Sequence, residues 1–128
     1  MISSPIYHET LWQLGDAIFA RETSRAIEIG TSLLEEGMAF IALLASLRAQ
    51  HSTGRGILEA AEKGELGERY PYLKGQLLDK KVKIFKKIGI SRLSKAMLLI
   101  FETEIKAKSS HIDPKLLLEI LLIQLTTL

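Results

Sequence analysis

Cysteine is absent from the 128 residues. Disulfides, thiolate metal sites and cysteine nucleophiles are thereby excluded, and the absence fits a reducing, cytoplasmic location. Three prolines and nine glycines are too few for collagen-like or low-complexity chains. No apolar run approaches the roughly 20 residues that cross a bilayer. Apolar stretches such as residues 116–118 and 120–123 are far shorter. The opening Met-Ile-Ser-Ser-Pro carries neither a basic nor an apolar run, so no secretory leader is expected. GxSxG, G-x-x-x-x-G-K-[ST], GxGxxG and HExxH motifs are all missing, which removes the usual signatures of hydrolases, phosphate loops, dinucleotide sites and zinc proteases. No enzyme activity, metal, cofactor or small-molecule substrate is expected, and no membrane.

What is present is an apolar, moderately charged chain with the composition of a globular protein: 47% hydrophobic and 25% charged residues. A chain of this length forms one domain and buries roughly two-thirds of its unfolded surface. Charge is uneven. Residues 1–64 hold five basic and eight acidic side chains, whereas residues 65–128 hold twelve basic and seven acidic. The surplus is concentrated at Lys74, Lys80, Lys81, Lys83, Lys86, Lys87, Arg92 and Lys95, opposed only by Asp79. A local basic face follows, not a generally cationic protein.

The pattern is helical throughout; no alternating β-branched run occurs. A first helix is predicted from residue 6 or 10 to 20, with Thr10 as N-cap and a buried stripe of Leu11, Leu14 and Ile18 edged by Trp12 and Phe19. A second covers residues 22–36, with Ile27, Leu33 and Leu34 apolar and Gly37 as the C′ residue. A long third helix starts near Met38 and ends at Gly64, placing Phe40, Leu43, Leu44, Leu47, His51, Gly54 and Leu58 on one stripe. Residues 65–70 form a connection. Pro71 is predicted to open a fourth helix whose apolar side is Leu73, Leu77, Leu78, Val82 and Phe85, with Lys80, Lys83 and Lys87 on another side; Gly89 ends it. Ser91 is predicted to cap a fifth helix running to Lys108, with Leu93, Met97, Leu98, Ile100, Phe101 and Ile105 spread over an arc wide enough to be largely buried. Asp113-Pro114 opens a sixth, apolar nearly all round, which needs neighbours on several sides. The expectation is an all-α, compact bundle of five or six helices, with residues 1–9 a frayed entrance and 10–128 a single domain.

Candidate chemistry is sparse. His51 lies on an apolar stripe and reads as a core histidine; His8 and His111 read as exposed loop residues. Thr53-Gly54-Arg55-Gly56 falls inside a helix, where glycines serve close packing and not phosphate binding. Glu102 and Glu104 point to different sides of their helix and are expected to pair with Lys106 and Lys108 at i, i+4. Lys80, Lys83 and Lys87 are candidate contacts for DNA or an acidic partner. Leu116, Leu117, Ile120 and Ile123 cannot share one inward stripe, so they join Phe101 and Ile105 as candidate subunit-interface residues.

Several segments, in order, resemble the C-terminal domain of the bacterial DNA polymerase III delta subunit. Leu11-Trp12-Gln13-Leu14-Gly15-Asp16-Ala17 is similar to its opening helix, and Leu33-Leu34-Glu35-Glu36-Gly37 to the end of its second. Leu43-Leu44-Ala45, continuing to Arg48, resembles its long helix, and Tyr70-Pro71-Tyr72 its next helix start. Glu102, Glu104, Lys108 and Ser109, then Asp113, Pro114, Leu116, Leu118, Glu119, Leu121, Leu122 and Leu125, are similar to its final stretch. Glu104 replaces the family's usual Asp, Ser110 replaces a common Gly, and the lysine run is heavier. The resemblance implies a collar-like bundle, the assembly part of a clamp loader for DNA replication. It would pack beside the matching domains of DnaX-type motor subunits and delta prime, and reach the sliding clamp and primed DNA only through a full-length subunit. It also implies a fragment of a longer protein and no ATP hydrolysis. An unrelated helical protein-binding adaptor and a DNA-backbone-binding module using the lysines are the alternatives.

Overall fold

The computed structural model describes residues 5–72 and 75–128, with side chains from residue 10 onward. Seven helices account for them: α1 (Pro5–Phe19), α2 (Thr23–Glu35), α3 (Phe40–Lys63), α4 (Leu66–Arg69), α5 (Gly75–Ile88), α6 (Ile90–Ser109) and α7 (Pro114–Thr127). Helix α1 is helical from Pro5, so Thr10 lies inside it and is not an N-cap, and the expected entrance is helical over residues 5–9. Proline suits a first helical position because the N–H it lacks has no intrahelical partner there. Residues 1–4 and Leu73 and Lys74 lie outside the described residues.

Local chemistry explains most boundaries. At the end of α2, Gly37 has φ +100°, with its N–H on the Leu34 carbonyl and that of Met38 on the Leu33 carbonyl. This doubly bonded cap is the one expected of a C′ glycine. The same pair of bonds closes α3 at Gly64. At the end of α1 it is formed around Arg21, a non-glycine residue held at φ +60°. Asp113 caps α7 by accepting from the Lys115 N–H at 3.1 Å, with Pro114 following. Two expectations fail here. Pro71 sits in a turn, and α5 begins at Gly75. Ser91 does not cap α6; Gly89 does, at φ 88°, ψ 151°. That backbone is open essentially to glycine alone, so α5 ends and α6 begins across a single residue.

Two clusters hold the bundle. The larger joins α1, α2, the first half of α3, α6 and α7 through Leu14, Leu33, Leu44, Leu47, Ile100 and Leu118, among others. Gly30 lets α2 and α7 approach, since a methyl there would meet the Leu118 and Leu122 side chains at 3.0–3.1 Å. The Thr23 and Thr126 hydroxyls, 2.8 Å apart, tie the same helices. The smaller cluster packs Ile57 and Leu58 of α3 against Phe85 of α5 and Leu93 of α6, with Phe19 alongside. Gly54 is what allows this. A methyl there would sit 2.5 Å from the Phe85 ring, so the glycine-containing segment serves helix packing, as its sequence setting indicates.

His51 is buried between the clusters. Its ring lies 4.9 Å from that of Phe19, and its Nδ1 is 2.7 Å from the Leu47 carbonyl oxygen. A carbonyl only accepts, so the neutral ring donates from Nδ1. Burial holds the imidazole pKa below its ordinary value; the Leu47 bond partly opposes this, and Arg92 adds a smaller push downward. The unfolded chain therefore takes up a proton at this site before the folded one does. The associated stability is complete above about pH 6.5 and falls as pH drops below it. In urea unfolding between about pH 6.5 and 5, the native chain is expected to lose stability more steeply than His51→Gln. Parallel pH profiles for the two would contradict the assignment.

Candidate interaction surfaces

The interface residues expected from sequence divide by helix geometry. On α7, Leu117, Leu118, Leu121, Leu122 and Leu125 face the core. Leu116, Ile120 and Ile123 project from the opposite side, each about half exposed. Leu117 is only 5% exposed, which corrects its assignment as a contact residue. One position along a helix turns a side chain by about 100°, carrying Leu117 away from the outer stripe. On α6 the core side is Leu93, Ala96, Ile100, Thr103 and Glu104, whereas Leu98, Phe101 and Ile105 lie outward, about half exposed. The expectation that this helix is largely buried is therefore also corrected. It shows two apolar faces, one inward and one outward. Two exposed apolar stripes at i, i+3/i+4 spacing on successive helices are candidate docking surfaces.

The side of α6 opposite the stripe carries an ion pair. Arg48 Nη1 donates to both carboxylate oxygens of Glu104, at 2.8 and 2.9 Å. Glu104 is almost wholly buried; Arg48 remains half open to water. This replaces the expected Glu104–Lys108 pair, and among the described residues no ion pair joins Glu102 to Lys106. The cause is tertiary. Glu104 falls on the face of α6 packed against α3, where Arg48 is its only ion-pair partner among the described residues.

The expected basic face is real and more specific in shape. Lys80, Lys83 and Lys87 are exposed on α5. Lys80 and Lys87 line a groove of about 640 Å³ between α5 and the α1–α2 junction; Lys83 stays outside it. Trp12 and Leu77, expected on buried stripes, are 44% and 55% exposed and line the same groove. Lys81 covers the Trp12 ring at 4.6 Å. Sequence periodicity on α1 and α5 separately does not reveal the groove, because the two helices, far apart in sequence, meet only in the folded bundle, where both pack on α3 and Phe19 touches Phe85.

His111 is exposed in the α6–α7 connection, and the side chain of His8 lies outside the described residues. Among the described residues no three His, Cys, Asp or Glu side chains gather as a metal site, and no helix is long and apolar enough to cross a membrane.

The fold has a counterpart among solved structures. The chain matches the Bacillus subtilis DNA clamp loader delta protein (YqeN) with a TM-score of 0.76 and 18% sequence identity, over 93% of this chain. It spans 36% of the length of that protein. No protein-family model matches the sequence, and no curated protein matches it. The all-helical bundle is thus a clamp-loader fold, as the resemblance of its motifs implies.

Proposed function

We propose that this chain is the collar domain of a clamp-loader delta subunit and that it works by assembly. The likeness of fold over 93% of the chain carries this reading. The outward stripes on α6 and α7 supply what such a role requires. A collar domain sits between neighbours, and a standard interface buries roughly 800 Å² on each partner. Leu98, Phe101 and Ile105 would meet one DnaX-type or delta-prime collar, and Leu116, Ile120 and Ile123 another. The role is non-catalytic. Clamp and primed DNA would be engaged by the remainder of the full-length subunit, in the cytoplasm.

Co-elution with the motor and delta-prime subunits in size-exclusion chromatography tests this. Leu116→Glu with Ile120→Glu is expected to abolish assembly while leaving the helical circular dichroism and unfolding midpoint near those of the native chain, since both side chains are already exposed. Phe101→Glu with Ile105→Glu is expected to act likewise. Undiminished assembly of both pairs would refute the placement of the contacts, and no assembly by the native chain would refute the reading itself.

A further inference from the structure

The groove between α5 and the α1–α2 junction has two chemically distinct parts. One part of its lining is apolar: Leu77, Ile84 and Ile88 from α5 and Phe19 from α1. Leu77 and Ile84 are 55% and 44% exposed, and at i, i+7 they occupy one face of α5. The rest of its lining is mainly cationic: Arg21, Arg25, Lys80, Lys81, Lys87 and Arg92, against Asp16 and Glu22. Glu22 is already engaged by Arg25 at 3.2 Å.

Two further features concentrate charge there. Arg21 occupies a left-handed backbone position that glycine adopts most readily. Its side chain is among those that line the groove. Arg92 has its pKa lowered by burial and, next, by the neighbouring charge of Arg21. Both residues line the groove, and like charges near one another gain from a nearby anion.

We propose that this groove binds an acidic amphipathic peptide segment, its apolar side chains over Leu77 and Ile84 and its carboxylates on Arg21, Lys80, Lys87 and Arg92. The lining distinguishes this occupant from a nucleic-acid backbone. Phosphates need cations only, and aliphatic side chains offer them nothing. Bases need an open aromatic face. Phe19 is turned against His51 and Phe85, and the Trp12 ring is covered by Lys81. An amphipathic segment uses both parts of the site at once.

Trp12 is the single tryptophan of the chain and lines the groove, so its fluorescence reports occupancy. The probe is a synthetic peptide of about four helical turns with leucines on one face and aspartates and glutamates on the others. It is titrated into the full chain at about 50 mM and at about 200 mM salt. Saturable binding with a Trp12 spectral change is expected. A scrambled peptide of identical composition should bind about tenfold or more weakly. Leu77→Ser with Ile84→Ser, and separately Lys80→Glu with Lys87→Glu, should each weaken binding by about tenfold or more. All four side chains are exposed, so an unchanged thermal midpoint verifies folding. Equal binding of the scrambled peptide, indifference to either pair of substitutions, or binding of an oligothymidine but not of the peptide would overturn the proposal. These residues are separate from the α6 and α7 stripes, so failure here leaves subunit assembly to be judged on its own.

Discussion

Arg48→Met is expected to lower the unfolding free energy by about 2–3 kcal/mol. The substitution removes the partner of Glu104, a carboxylate almost wholly buried against α3 and held at 2.8 and 2.9 Å. An exposed pair of this kind is worth about 0–1 kcal/mol. This pair differs because only one member can return to water. The arginine is half open, so losing it deletes little apolar contact, but the carboxylate left behind is neither solvated nor neutralised. The double variant Arg48→Met with Glu104→Met is expected to recover most of the loss, since an apolar pair leaves no orphaned charge. Urea unfolding of the native chain and the variants forms the cycle. A single-variant effect below about 0.5 kcal/mol, the level of an exposed pair, would show that Glu104 reaches water by another route. The consequence extends to assembly. Glu104 shares the inward face of α6 with Leu93, Ala96 and Ile100, and the opposite side of that helix carries Leu98, Phe101 and Ile105.

Gly54→Ala is expected to destabilise the fold by about 1–2 kcal/mol. In an unobstructed helix the same change would stabilise by about 0.5–1 kcal/mol through the restricted unfolded chain. Here the added methyl would lie 2.5 and 2.6 Å from two ring atoms of Phe85. That ring cannot swing clear. It is buried, packed with Ile57, Leu58 and Leu93, and in edge contact with Phe19 at 5.2 Å between centroids. Overpacking of this kind costs about 1–3 kcal/mol, which exceeds the propensity gain. Phe85→Leu is expected to rescue part of the loss in the Gly54→Ala background, because a smaller side chain admits the methyl. Gly67→Ala is the control, with nothing within 4 Å of the added atom. Thermal unfolding of the four proteins decides the matter. Gly54→Ala at or above native stability would mean that α5 is free to move away from α3. Such movement would also reshape the groove, since α5 supplies most of its apolar lining.

Helix type was legible in the sequence because it rests on local signals: periodic apolar positions, glycines at α2 and α3 ends, and the Asp113-Pro114 start. These act within a few residues and carry over intact to the folded chain. The long stripe of α3 was readable for the same reason; every member expected from Phe40 to Leu58 is buried. Boundaries set by competing local signals were less so. Ser91 is a good capping residue, but Gly89 can adopt a backbone that turns the chain two residues sooner. Pro71 can begin a helix, but it equally suits the turn it occupies.

The composition and periodicity of the chain alone determined that it is an all-α bundle, that its last two helices carry more apolar positions than one face can bury, and that its positive charge gathers on one segment. Tertiary structure decided which of those positions face out. Leu117 went to the core and Leu116 did not, because α7 has neighbours on one side only. Glu104 took Arg48, 56 residues away, over the lysine one turn along. The basic helix acquired a groove because α1 and α5 both pack on α3. Each of these outcomes depends on how helices distant in sequence are rotated against one another, and packing across the whole bundle sets that rotation.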